Sequence, residues 1–270
     1  MKIKDVKIVF IDLDGTTLDD KKNLISQQNI AAINRLTQKG IEVVVSTGRA
    51  YSQKTKAILE KLNSVGNLIA WNGAKVFIDN KEILSSPIPS QKYSKISELV
   101  KKYKMTTIAN SDFNNHTYTN NPLLKLIIWK RKGKINKINE INLNFDVFKF
   151  IFTTPLRSKT HRFFNELLNE FGDELNIAFS RNHKQQFIEV TNYNSSKGDA
   201  EILYATYRGV DAKNCVHIGD TMNDSTTVGK VGHVIALNNA TNDFKKIANY
   251  ISPFSYKKGG LAKTIEYFFE

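Results

Sequence analysis

Three short apolar runs, Ile8–Ile11, 41–45 and 215–218, each stop abruptly in a polar cluster that contains glycine. Runs of this length, rich in β-branched residues, mark strands rather than helices. Between the first two, Ser26 reads as a helix N-cap, Ile30, Ile33 and Leu36 fall at helical spacing, and Gly40 fits the stop. A second helix is expected over residues 52–62, then a strand over 68–71 closed by the turn dipeptide Asn72-Gly73. Near the other end, 197–208 reads as a helix, and 215–218 and 231–237 as strands. Strands and helices alternating through short connections predict right-handed βαβ crossovers and a parallel sheet.

The pattern changes after Leu84. Pro87 and Pro89 punctuate the chain, residues 110–121 are asparagine-rich as loops are, helices are expected at 90–103 and 158–171, and strands at 145–153 and 174–179. Apolar alternation resumes at 187–191. There is no internal repeat and no low-complexity linker. The economical architecture is an α/β core formed by both ends of the chain, residues 1–84 and 187–270, with an α/β domain, 85–186, inserted between them.

Composition excludes several classes. No apolar run approaches the ~20 residues of a membrane helix, no signal-peptide stretch follows the first residues, and Cys215 alone cannot form an intramolecular disulfide. A cytoplasmic protein is expected. The 270 residues hold 39 Lys and Arg against 26 Asp and Glu, a net charge of +13. Residues 84–186 carry 17 basic and 8 acidic side chains, concentrated around Lys101, Lys102, Lys104 and Lys130-Arg131-Lys132. This suits a solvated lysine-rich surface, or one that attracts small phosphorylated anions, better than a dedicated nucleic-acid face.

The polar clusters carry the chemistry: Asp12-Leu13-Asp14-Gly15-Thr16, Ser46-Thr47-Gly48-Arg49, and Gly219-Asp220-Thr221-Met222-Asn223-Asp224. Each follows a strand expected to be parallel, and the carboxyl edge of such a sheet is where ligands bind. If the strands are neighbours, Asp12, Asp14, Asp220 and Asp224 crowd together around a hard cation such as Mg²⁺. Lys197, and the helix amides after Gly198, would add positive charge toward a phosphate. Taken singly, each element has a plain account as a turn, a cap or a surface lysine; their shared order and placement argue otherwise. Cys215 reads as a small buried hydrophobe, and His116, His161, His183, His217 and His233 show no metal-ligand spacing.

The segment from Phe10 to Leu18, FIDLDGTTL, resembles the first motif of the haloacid dehalogenase superfamily. Val45-Ser46-Thr47-Gly48-Arg49 resembles the second, Ser196-Lys197-Gly198 the third, and Gly219-Asp220 with Asn223-Asp224 the fourth. Asn72-Gly73-Ala74, Ala236-Leu237-Asn238-Asn239-Ala240 and Gly259-Gly260-Leu261-Ala262 resemble the Cof-like branch of metabolite phosphatases, which carries a large α/β (type IIB) cap between the second and third motifs. The chain departs from the branch at Ser225 to Val228, Leu237, Asn238 and Gly259.

The resemblance implies a Rossmann-like core whose inserted cap closes over the pocket and selects the substrate. It implies Mg²⁺-dependent hydrolysis of small phosphorylated metabolites: sugar phosphates, nucleotides or phosphate-bearing cofactors. Asp12 would attack phosphorus to give an aspartyl-phosphate, and Asp14 would serve as acid and then base. Mg²⁺ would be held by Asp12, Asp14 through its backbone carbonyl, and Asp220, with Asp224 in the same metal group or orienting Lys197. Thr47, Lys197, Asn223 and the amides of Leu13 and Gly48 would hold phosphoryl oxygens. Arg49 and Asn72 would touch the substrate, or make a structural ion pair and turn. An acid at position 14 speaks against dehalogenase and cation-pump chemistry. The alternatives are a phosphomutase, and a phosphate- or nucleic-acid-binding protein whose catalysis has weakened. Neither a membrane nor nucleic acid is the expected partner, and a monomer or weak homodimer is expected.

Overall fold

The computed structural model describes residues 2–19, 24–181 and 186–270, excepting the side chains of residues 180 and 181; His183 lies outside the described residues. The chain divides into two compact units, Met1–Ser85 with Ser196–Glu270, and Ser86–Ser195.

The first unit begins with β1 (Ile8–Ile11), buried along its whole length as a strand covered on both faces should be. In α1 (Gln27–Gln38) the Ser26 hydroxyl accepts from the Asn29 amide, and Gly40 ends the helix at φ +78°. Next come β2 (Glu42–Ser46), α2 (Gln53–Lys61) capped by Ser52, and β3 (Leu68–Ala70). A hairpin that strand patterning did not predict, β4 (Lys75–Ile78) and β5 (Lys81–Ser85), continues the sheet antiparallel. Its tight turn puts Asp79 and Asn80 at φ +50° and +64°, the left-handed conformation such residues tolerate.

The second unit comprises α3 (Tyr93–Tyr103), β6 (Thr106–Ala109), β7 (Thr117–Tyr118), α4 (Pro122–Lys130), β8 (Lys149–Thr153), α5 (Arg157–Phe171), β9 (Leu175–Arg181) and β10 (Gln186–Asn192). Its strands form an antiparallel sheet in the order β7-β6-β8-β10-β9, over a core of Phe150, Phe152, Phe163, Leu167, Ile188 and Val190. Residues 187–191 therefore do not belong to the parallel-sheet unit, as their apolar alternation suggested. They lie in β10, which pairs with β8 and β9, so the insertion runs to Ser195 rather than 186. Alternation reveals a half-buried strand but not which sheet it joins.

The chain returns to the first unit with α6 (Lys197–Tyr207), β11 (Cys215–Gly219), β12 (His233–Ala236), α7 (Asn242–Ile247), β13 (Tyr250–Ile251) and α8 (Gly260–Phe269). The eight-stranded sheet runs β13-β12-β11-β1-β2-β3-β4-β5, parallel from β13 to β3. Ile11 is in register with Val45 on one side and Ile218 on the other, so the segments after β1, β2 and β11 emerge side by side. The insertion also leaves and rejoins at neighbouring points. Ser85 pairs with Lys75, and a Cβ on Gly73 would come within 2.1 Å of the Ser196 carbonyl oxygen. Among the described residues no helix is long and apolar enough to cross a membrane.

Candidate active site

Asp12 follows β1 directly, its amide donating to the Ile218 carbonyl at 3.0 Å, and it is only 4% exposed. The turn after it is held by the Thr17 hydroxyl, which donates to the Asp12 carbonyl at 2.5 Å, and by Gly15 at φ +83°. A Cβ on Gly15 would lie 2.3 Å from Asp220 Oδ2, so only glycine lets this turn approach the Asp220 carboxylate. Thr16 Oγ1 donates to Asp220 Oδ1 at 3.5 Å, and Asn239 Nδ2 donates both to Asp220 Oδ2, at 3.2 Å, and to the Gly15 carbonyl, at 2.9 Å.

Lys197 opens α6 behind the Ser196 N-cap and is fully buried. Its ammonium donates to Asp12 Oδ1 at 2.5 Å and to Asp224 Oδ1 at 2.6 Å. Asp224 Oδ2 accepts from the amides of Asp220 and Thr221, each at 2.9 Å, and His217 Nε2 lies 3.1 Å from Oδ1. Burial works against the Asp224 carboxylate, but Lys197 and His217 outweigh it and hold its pKa well below the usual range. Burial pushes Asp12 up to about 6 despite Lys197, and burial with the nearby Asp12 and Asp224 charges pushes Asp220 up to about 8.

The residues expected to hold phosphoryl oxygens fall on adjoining strand ends. The Thr47 hydroxyl accepts from the Arg49 amide at 3.2 Å, and the Thr47 carbonyl accepts from the Asn72 amide at 3.0 Å. Asn72, left-handed at φ +56°, accepts on Oδ1 from Asn223 Nδ2 at 3.1 Å, linking the β3 end to the segment after β11. Gly48 lies against this amide: a Cβ there would meet Asn72 Oδ1 at 2.8 Å. Leu13 is fully buried in the turn after β1.

Two of the four carboxylates expected around a cation are otherwise engaged. Asp14 is 61% exposed at its side chain and takes Arg49 bidentately, at 2.6 Å from Nε and 2.5 Å from Nη2. Asp224 has both oxygens occupied by Lys197, His217 and two amides. Accordingly, no group of three or more His, Cys, Asp or Glu side chains is gathered as a metal cage among the described residues. What remains is Asp12 and Asp220, both buried and both pushed up chiefly by that burial, with Lys197 on Asp12 Oδ1. One or two carboxylates, completed by water and substrate oxygens, is the donor set Mg²⁺ takes, so the residues fit that ion.

Sequence reasoning assigned no chemistry to His217 or Glu201. Both are fully buried, with His217 Nδ1 2.8 Å from Glu201 Oε1. Burial lowers the imidazole pKa, but Glu201 and Asp224 overcome it and raise it to about 9. The signal was present: a histidine inside an apolar strand, and a glutamate one helical turn after Lys197 on its buried face. Cys215 is buried, its thiol pushed up to about 12 chiefly by burial, which leaves it unreactive.

A family model described as haloacid dehalogenase-like hydrolase matches residues 9–265. The 5-amino-6-(5-phospho-D-ribitylamino)uracil phosphatase YcsE of Bacillus subtilis is 25% identical, covering 97% of this chain and 96% of its own. Phosphatase YwpJ, also of Bacillus subtilis, is 26% identical over 92% of this chain and 94% of its own. Among solved structures, a protein of Thermotoga maritima superposes with a TM-score of 0.79 at 22% identity, covering 98% of each chain.

Proposed function

The chain belongs to the haloacid dehalogenase-like hydrolases, and from that membership we propose that it is a phosphatase of small phosphorylated metabolites with Asp12 as nucleophile. The observation that carries this reading is a buried carboxylate at a central strand end with a buried ammonium 2.5 Å from one of its oxygens. Lys197 engages Oδ1, which leaves Oδ2 for in-line attack on phosphorus. The new bond joins Oδ2 to phosphorus, and the bond to the leaving oxygen breaks as Asp14 gives it a proton. In the second step Asp14 takes a proton from water, whose oxygen attacks phosphorus and releases Asp12.

To reach the leaving oxygen Asp14 would exchange its bidentate contact with Arg49 for the substrate. Lys197 neutralises phosphoryl charge, joined by Thr47, Asn223 and the amides of Leu13 and Gly48. Asp12, the Asp14 carbonyl and Asp220 would hold Mg²⁺, which when bound supplies positive charge against the phosphate. Asp224 orients Lys197 rather than the cation. The inserted unit, 86–195, is assigned the choice of substrate. YcsE is named for a phosphorylated ribityl compound, and one solved neighbour for sugar phosphatase activity, so a substrate panel begins with sugar and polyol phosphates.

The test is hydrolysis of an aryl phosphate with and without Mg²⁺ by wild type and Asp12→Asn. Turnover that needs both Mg²⁺ and Asp12 is expected; equal rates for the two proteins would reject the reading.

A further inference from the structure

The buried charges do not stop at the groups the mechanism uses. Lys197 and Glu201 sit one turn apart on α6. From Glu201 the contacts run through His217 to Asp224 Oδ1, then to the Lys197 ammonium and Asp12 Oδ1. Asp224 is thereby held by two amides on one oxygen and by imidazole and ammonium on the other.

Packing alone does not account for the outer pair. Among the described residues Glu201 Oε2 is buried with no hydrogen-bond partner, an unfavourable arrangement that a leucine of similar volume would avoid. The backbone also makes room for the contact. A Cβ on Gly219 would lie 2.4 Å from Asp224 Cγ and 2.8 Å from His217 Nε2. A lysine ammonium rides on a flexible stem, and its placement depends on what anchors it. Misplacing a charge by ~1 Å in such a site can cost roughly 100-fold in rate.

We propose that Glu201 and His217 are positioning residues for phosphoryl transfer: Glu201 orients the imidazole, the imidazole fixes the Asp224 carboxylate, and that carboxylate fixes Lys197 against Asp12. The inference rests on the phosphatase reading. It goes beyond it by giving the chemistry a support that reaches from β11 into the second turn of α6.

The experiment compares wild type, the double variant Glu201→Leu/His217→Phe, and the single variants Glu201→Leu and Glu201→Gln. Thermal unfolding, kcat and KM on an aryl phosphate are measured for each. The double variant is expected to unfold at or above the wild-type temperature while its kcat falls about 10–100-fold, by more than KM rises. Glu201→Gln still offers an acceptor to Nδ1–H and is expected to recover most of the kcat that Glu201→Leu loses. A folded double variant with wild-type kcat overturns the proposal. So does a variant that loses stability while its folded fraction keeps full kcat. Should the double variant not fold, equal kcat for Glu201→Leu and Glu201→Gln overturns it instead. Wild type as inactive as Asp12→Asn would overturn the phosphatase reading itself, and this inference with it.

Discussion

Lys197 is a fully buried ammonium between two buried carboxylates, and its removal leaves Asp12 without that cation and Asp224 with His217 alone. Breaking a buried ion pair from one side typically costs about 3–5 kcal/mol. Lys197→Ala is therefore expected to lose roughly 3 kcal/mol or more in denaturant unfolding, together with turnover; a variant as stable as wild type would contradict this account. The raised carboxyls predict a second response. Asp12 and Asp220 hold protons in the folded chain that the unfolded chain releases above about 3.8. Their contribution to stability thus falls as pH rises from there, through about 6 for Asp12 and about 8 for Asp220. If Asp12 and Asp220 hold Mg²⁺ as proposed, the ion takes their ionised forms and is expected to raise Tm more at about pH 8 than at about pH 5. An equal rise at both would refute the assignment. Asp12, Lys197 and Asp220 could be read from the sequence because each sits in a motif at a strand or helix end. Glu201 and His217 signalled only their burial, because a charge inside an apolar element declares its partner only once the fold brings the two elements together.

At the scale of elements, α6 reaches the site because its first turn lies directly on the turn at 225–227. A Cβ on Gly198 would meet the Thr226 carbonyl oxygen at 1.9 Å. Gly198→Ala is expected to displace Lys197 and to reduce kcat more than tenfold, with thermal unfolding measured alongside to show that the variant is folded. In the inserted unit, Asn121 caps α4 by accepting from the amides of Leu123 and Leu124. Asn121→Ala should cost about 1 kcal/mol, measurable by denaturant unfolding. This helix shows where patterning fails. Residues 122–130, PLLKLIIWK, are apolar almost throughout and carry little helical periodicity, with Leu123 and Trp129 both 65% exposed. No helix is expected from this spacing, whereas Asn121 ahead of Pro122 is a helix-start signal that the apolar pattern hides. The parallel strands and capped helices of the first unit were legible because caps, turns and burial all agreed. The β4–β5 hairpin was signalled only by Asp79-Asn80.

For the whole molecule, every contact described for the candidate site lies within the unit Met1–Ser85 and Ser196–Glu270. Replacing residues 86–195 with a short Gly-Ser linker is expected to leave a chain that unfolds cooperatively and keeps Asp12-dependent aryl phosphatase activity. An aggregated product would show that the sheet needs the insertion to fold. The division into two units was visible in the sequence as a change of pattern after Leu84. The return point was misplaced because β10 resembles a core strand until its pairing is known.

Gly73, pressed against the Ser196 carbonyl two residues before the partner of Ser85, brings the two ends of the excursion together. Closure entropy grows only with the logarithm of loop length, and here the join is bridged by the sheet itself. On the proposed function, the half that carries the candidate site can therefore remain constant while the excursion is lengthened, shortened or exchanged, so that one reaction can be tried on many molecules.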